Sequence, residues 1–287
     1  MKTKLLCLSF AAVAMTSFAA PGPDFHQHLG IQMWSLRATA KESTPKAMDL
    51  VKQYGLKEVE TAGLGELTLE QYAAELKARG LQAIATHAGY EALQKNLAGE
   101  IATAKALGAT YIVVPWIPHD KEKGFTEELA QEVAANFNQW GQAIREAGLK
   151  LGWHPHGFEF VPSNAGNGET RFDLVARLTK PENLCLEMDV FWAVHAGQDP
   201  VALFKKYGSR WELIHVKDMR KGAPTGFSTG GAPDTDNVAV GSGQIDWKQV
   251  LGAAQQAGVQ HYFLEDETPT PLECIPQSLT YLRGLKL

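Results

Sequence analysis

The stretch LCLEMDVFWAVHAGQDP (residues 184–200) contains the unit from which the whole chain is built. Its first six residues, Leu184–Asp189, form a short apolar run of buried-strand length that ends on an acid. A helical segment follows from Phe191. Asp199-Pro200 then sets a capping residue ahead of a proline at a first helical position. The same alternation recurs on both sides. Strands are expected at Gly30–Ser35, Glu58–Thr61, Gln82–Thr86, Tyr111–Pro115, Lys150–His154, Leu184–Asp189, Leu213–Val216 and Tyr262–Glu265. Helix signals lie between them. Thr44-Pro45 reads as cap plus proline, and Thr68 with Gln71 as a capping box for a helix that ends at Gly80. Asp246 caps a helix running to about Gly258, and the segment 126–148 opens with Glu127 and Glu128 at the positive end of a helix dipole.

Strands alternating with helices imply parallel βαβ units, and eight units imply closure into an α/β fold of the (β/α)8 TIM barrel type. An open doubly wound sheet carries a glycine-rich loop after its first strand. Here that place is taken by Trp34-Ser35-Leu36-Arg37. The 287 residues, 45% hydrophobic, contain no linker that would divide the chain, so one barrel domain is expected over residues 20–287. Residues 1–19 read as a signal peptide. Lys2 and Lys4 precede an apolar run from Leu5 to Met15, and Ser17-Phe18-Ala19 offers small residues to a peptidase. An exported, periplasmic or secreted protein is therefore expected, with no membrane attachment after processing.

Losing Lys2 and Lys4 takes the formal charge from −5 to −7. An acidic chain does not attract phosphate backbones over its whole surface, which argues against nucleic acid as a partner. Cys185 and Cys274 read as two free thiols rather than a pair. A homo-oligomer is compatible with the sequence, which does not fix the assembly.

In such a barrel the chemistry sits at the C-terminal strand ends. The first four strands end near Arg37, Glu60, His87 and Trp116. The last four run into His154-Pro155-His156-Gly157-Phe158-Glu159, Glu187-Met188-Asp189, His215-Val216-Lys217-Asp218 and Glu265-Asp266-Glu267. Converging carboxylates repel unless a cation compensates them, and a carboxylate–imidazole set suits one divalent metal ion such as Mn²⁺, Zn²⁺, Co²⁺ or Mg²⁺. The expected ligands are Glu159, Asp189, His215 and Glu265. His154 and His156, two apart, face one side of a strand and are candidate acid–base residues, and Lys217 is a candidate to polarise a carbonyl. Glu60, His87, Trp116 and His195 are expected to line the substrate pocket. Trp34, Trp116 and Trp192 can stack on a sugar face or pack in the core. Asp189 has a second reading as a helix cap, and Glu187 as its partner or its rival. The long polar stretch 221–243 reads as an active-site loop or lid. His26 and His28 precede the first strand and receive no assignment.

The pieces LGIQMWSLR (29–37), GWHPHGFEF (152–160), LEMDVFWAVHAGQDP (186–200), IHVKD (214–218), GSGQIDW (241–247) and YFLEDE (262–267) occur in an order that resembles the xylose-isomerase-like barrel superfamily, often called the sugar phosphate isomerase/epimerase group. The resemblance spans nearly all of the chain after residue 19 and is nearest to a subgroup with a His-x-His-x-x-Glu pattern. It implies one metal held by Glu, Asp, His and Glu from the last four strands, mapping onto Glu159, Asp189, His215 and Glu265. Many members hold the first Glu inside the fifth strand, so His156 stands as the alternative to Glu159. The reaction expected is isomerisation or epimerisation of an unphosphorylated sugar or ketosugar, by proton transfer beside a carbonyl. Loss of water or of a glycoside from an inosose-type or 3-keto-glycoside substrate is the alternative. A nuclease of the endonuclease IV type and a non-catalytic carbohydrate-binding barrel are the more distant readings.

Overall fold

The computed structural model describes residues 21–287, so the expected leader at 1–19 lies outside the described residues. Eight strands form the barrel: β1 (Leu29–Gln32), β2 (Glu58–Thr61), β3 (Gln82–His87), β4 (Tyr111–Val114), β5 (Lys150–Trp153), β6 (Cys185–Asp189), β7 (Trp211–Val216) and β8 (His261–Leu264). All pairings between them are parallel, and β1 pairs with both β2 and β8 to close the sheet. Among the described residues no helix is long and apolar enough to cross a membrane.

The period of two along each strand sorts residues between the barrel interior and the helical shell. Leu186 and Met188 of β6, and Ile214 and Val216 of β7, face outward into the large apolar layer beneath the helices. Their alternates, Cys185 and Leu213, join Ala85, Tyr111, Val113 and Phe263 in a separate apolar plug that fills the middle of the barrel. Continuing the inward parity past this plug gives His87, Glu187, Asp189, His215 and Glu265 at the C-terminal end. Side chains of four strands therefore converge there because the residues at that parity are polar only toward the strand ends.

Local signals act where the sequence placed them, with two shifts. The Thr68–Gln71 capping box, the Asp199 cap and the Asp246 cap are all present. The helix at Thr44–Gln53, however, is capped by Ser43, because the Thr44 hydroxyl is engaged by Glu66 at 2.6 Å. β1 stops at Gln32 instead of continuing to Ser35. There the Gln32 side chain accepts the Trp34 N–H and draws Met33–Leu36 into a 3-10 turn. Cys185 and Cys274 are both free.

The 221–243 segment returns to the barrel through a two-stranded ribbon, Asp218–Met219 against Asn237–Val238. The buried Asp218 carboxylate accepts the N–H groups of Gly241 and Gly243 and so anchors the returning chain. Farther along, Gly226 and Phe227 donate to the His195 carbonyl. Gly230, at φ +66, sits so close to Phe158 that a Cβ would lie 2.7 Å from its ring. The segment thus lies against His195 and Phe158, beside the C-terminal mouth.

Candidate active site

His215 sits at the centre of the cluster. Its Nε2 is 2.6 Å from Glu60 Oε2 and 3.3 Å from Glu187 Oε2; its Nδ1 is 3.0 Å from Glu265 Oε2 and 3.8 Å from Asp189 Oδ2. Burial opposes a charge on this ring, but Glu187, Glu60 and Glu265 outweigh it and hold the His215 pKa well above the imidazole range. His87 is governed in the same way. Burial opposes its charge, and Glu60 and Glu187 push it up to about 9. His154 is the opposite case, since burial and the neighbouring His215 and His156 hold it well below the ordinary value. Its Nδ1 lies 3.0 Å from Glu187 and its Nε2 3.6 Å from Asp189.

Asp189 is the helix cap read for it, and its second oxygen faces the cluster. Oδ1 accepts the Trp192 N–H at 3.0 Å and caps the helix Val190–His195, while Oδ2 is buried without a hydrogen-bond partner on the cluster side. Burial and Glu265 push its pKa up to about 7, and burial and Glu60 do the same for Glu187. Four carboxylates thus share a pocket whose local cations are too few to keep them all ionised. One oxygen of Glu60, of Glu187 and of Asp189 is buried and unpaired. A divalent cation would satisfy both the charge and the orphaned acceptors. Ligand atoms of Asp189, His215 and Glu265 lie within 4.8 Å of one another, as do those of His87, His154, Glu187 and His215. The donor set fits a divalent metal.

Three of the four expected ligands are therefore brought together. Glu159 is not among them. Gly157, at φ +93, ends the extended run after Pro155 and starts a 3-10 turn over Phe158–Phe160. The turn folds the Glu159 carboxylate back onto the His156 N–H, at 3.0 and 3.2 Å. Burial then raises its pKa to about 8. The fifth strand instead contributes His154 directly. His156 stands at the rim, its ring 4.7 Å from that of His154 and 5.5 Å from Trp192, with Nδ1 unpaired. Burial and Lys217 lower it to about 3.

Lys217 is buried against Phe191 and Trp192, with Nζ 5.3 Å from each ring. Glu265 lies 3.3 Å from Nζ, and Glu267 is in direct contact with it. Although burial opposes its charge, these acids together with Asp189 raise its pKa. Of the residues expected to line the pocket, Glu60 and His87 lie within the cluster itself. Trp116 is exposed at the mouth, edge-on to Phe158 and His156. His195 is buried, stacked on Phe191 and close to Phe227, one shell further out. Gln32 escaped the sequence reading. Its amide donates to Glu60 at 2.8 Å, and its inward parity with Gly30 was the available signal. Asp218, next to Lys217 at the seventh strand end, serves the loop.

The model of the xylose isomerase-like TIM barrel matches residues 48–285. The chain belongs to this family. Among curated proteins of the family, inosose dehydratase of Lacticaseibacillus casei is 26% identical over 189 residues, covering 60% of this chain and 61% of that protein. The chain thus spans about three-fifths of the length of the curated relative it matches. Among solved structures, a sugar phosphate isomerase/epimerase from Parabacteroides distasonis superposes with a TM-score of 0.73 at 23% identity, over 90% of this chain and 98% of that one. The IolI protein with a bound zinc atom superposes with a TM-score of 0.63 at 16% identity, over 89% and 95% of the two chains. At these identities the structural likeness fixes the fold of the family, and the members named are enzymes or hold a metal in their own right.

Proposed function

We propose that this family member is a divalent-metal-dependent lyase that removes water, or a glycosidic leaving group, from a cyclic polyhydroxy ketone of the inosose or 3-keto-glycoside type. The observation that carries the proposal is the meeting of Asp189, His215 and Glu265 beside two histidines of opposite protonation, His156 and His87. Such pairs mark acid–base assignments. A bound divalent ion would supply Lewis-acid polarisation of substrate oxygens.

The remaining work falls to the chain's own side chains. The neutral His156, with Nδ1 unpaired, accepts the proton from the carbon beside the ketone. Lys217, charged and held in a dry aromatic cage, faces the developing oxyanion. His87, protonated and half-buried, donates its proton to the departing hydroxyl or alkoxide. The C–H and C–O bonds break, a C=C bond forms, and water or the alcohol leaves. His154 and Glu60 hold their neighbours in place. Trp116 at the mouth offers a ring face to the sugar or aglycone.

Proton return without loss of the leaving group would give isomerisation or epimerisation, the outcome first expected from the sequence. Elimination is preferred because the curated relatives include inosose dehydratases. Export, read from residues 1–19, favours an unphosphorylated substrate. The deciding experiment incubates Mn²⁺-, Co²⁺- or Zn²⁺-loaded protein with inososes and 3-keto-glycosides in D₂O. Release of water or of the aglycone, with an unsaturated ketone as product, is expected. Deuterium uptake into an otherwise intact sugar would replace the lyase reading with the isomerase one.

A further inference from the structure

The barrel interior carries ionisable groups at both ends, separated by the apolar plug of Ala85, Tyr111, Val113, Cys185, Leu213 and Phe263. The N-terminal end lies opposite the active site. There His28 immediately precedes β1, Glu58 opens β2 and His261 opens β8. Glu58 bridges the two rings: Oε1 is 3.0 Å from His28 Nδ1, and Oε2 is 2.7 Å from His261 Nδ1. The rings meet edge to face with centroids 5.3 Å apart, and one ligand atom from each residue lies within 4.8 Å of the others.

We propose that His28, Glu58 and His261 form a second divalent-metal site, for a borderline transition ion such as Zn²⁺, which fastens the first barrel strand to the second and the last. Two imidazoles and one carboxylate are a donor set that zinc accepts, whereas an all-oxygen preference would exclude Mg²⁺ or Ca²⁺. The edge of a tetrahedral zinc site is about 3.3 Å from bond lengths near 2.0 Å. The observed nitrogen–oxygen separations, 3.0 and 2.7 Å to the two oxygens of Glu58, are shorter than this, so an entering ion replaces these two hydrogen bonds and spreads the cluster. The His28, Glu58 and His261 side chains are 34%, 10% and 17% exposed. The site therefore opens to solvent at His28, which admits the ion and leaves room for water as a fourth ligand.

Backbone geometry supports a built position. Gly30 has no side chain where a Cβ would stand 2.9 Å from the Glu58 Cβ, so β1 can approach Glu58 closely enough to bring His28 onto it. The three residues come from the two strand pairings that close the sheet, β1 with β2 and β1 with β8. In a barrel this face serves stability and not chemistry. A ligand bound only by the folded state stabilises it, and this one would tie residue 28 to residue 261.

The test counts ions. The full chain, stripped with a chelator and dialysed against Zn²⁺, is analysed for zinc per chain, beside a His28→Gln/His261→Gln variant and a His215→Ala variant. The proposal expects the double variant to hold one ion fewer than the unaltered chain. His215→Ala keeps that ion, and added Zn²⁺ raises its melting midpoint. Failure of the catalytic-site reading would leave this difference intact, so the two proposals fail separately. Equal zinc content in the unaltered chain and the double variant would overturn the proposal and leave a hydrogen-bonded triad. If the double variant does not fold, His28→Gln alone, at the most exposed ligand, is titrated with Co²⁺. Loss of the visible cobalt band from this site supports the proposal, and an unchanged titration rejects it.

Discussion

The Glu60 carboxylate stands 2.6 Å from Nε2 of His215, on the side of the ring opposite Glu265, whose carboxylate lies 3.0 Å from Nδ1. A histidine that binds metal through one nitrogen is oriented by what holds the other. With Nδ1 toward Asp189 and Glu265, Glu60 is the group that fixes the ring, and Gln32 in turn fixes Glu60 at 2.8 Å. Glu60→Gln is expected to weaken divalent-metal affinity by about 10- to 100-fold, the usual cost of losing an outer partner of a ligating histidine. Metal titration with circular dichroism as a folding check measures this. Unchanged affinity would mean that His215 is oriented without Glu60.

Asp189 divides its two oxygens between a helix cap and the cluster, and substitutions can separate the two. Asn retains an acceptor for the Trp192 N–H and is as good a cap as Asp. Asp189→Asn should therefore keep its thermal stability in chelator while losing metal binding and activity. Asp189→Ala should lose the cap as well, with a further cost of about 1 kcal/mol. Equal stability of the two variants would show that the cap is not needed.

How much of this was legible depends on which kind of signal each feature rests on. All eight strands were visible as short apolar runs set between helical segments, and β2 begins and ends at the residues expected, Glu58 and Thr61. Asp189, His215 and Glu265 were visible because they end those strands at inward parity. Glu159 was misplaced because its direction is set by Gly157 at φ +93 and the turn after it, where strand parity no longer applies. Glu187 was left as a partner or rival of Asp189, since parity alone cannot rank two inward acids on one strand. His28 went unassigned because it gains its meaning only when β8 closes against β1 and brings His261 to Glu58.

The position of Glu159 has a consequence for pH. Burial raises its pKa to about 8, well above the ordinary carboxylate value of 4.5, although backbone N–H donors oppose the shift. A carboxyl whose pKa is raised on folding favours the folded state at low pH. That contribution is lost as the unfolded chain ionises above about 4.5, and the loss levels off once pH passes about 8. Glu159→Gln keeps the size and an acceptor for the His156 N–H but cannot ionise. The stability difference between Gln and Glu in chelator is expected to grow in favour of Gln from pH 5 to about 8, on the order of a few kcal/mol. Urea melts at several pH values decide it. A difference independent of pH would place Glu159 in its ionised form in the fold.

Lys217 has a structural and a chemical role that one substitution would confuse. Its Nζ is buried between Glu265 and Glu267, and Glu267 also accepts the Trp34 indole N–H at 2.9 Å. Removing the cation alone leaves buried carboxylate charge uncompensated, so Lys217→Met should destabilise the chelator-treated protein by about 3 kcal/mol. Pairing it with Glu267→Gln removes one of the acids that the lysine neutralised, while the amide can still accept from Trp34, so much of the stability should return. Activity should not return, because neither change restores a positive group facing the developing oxyanion. Parallel melts and turnover assays on the single and double variants read the two effects apart. Recovery of activity together with stability would assign Lys217 to holding Glu265 and Glu267 in place and remove it from the reaction.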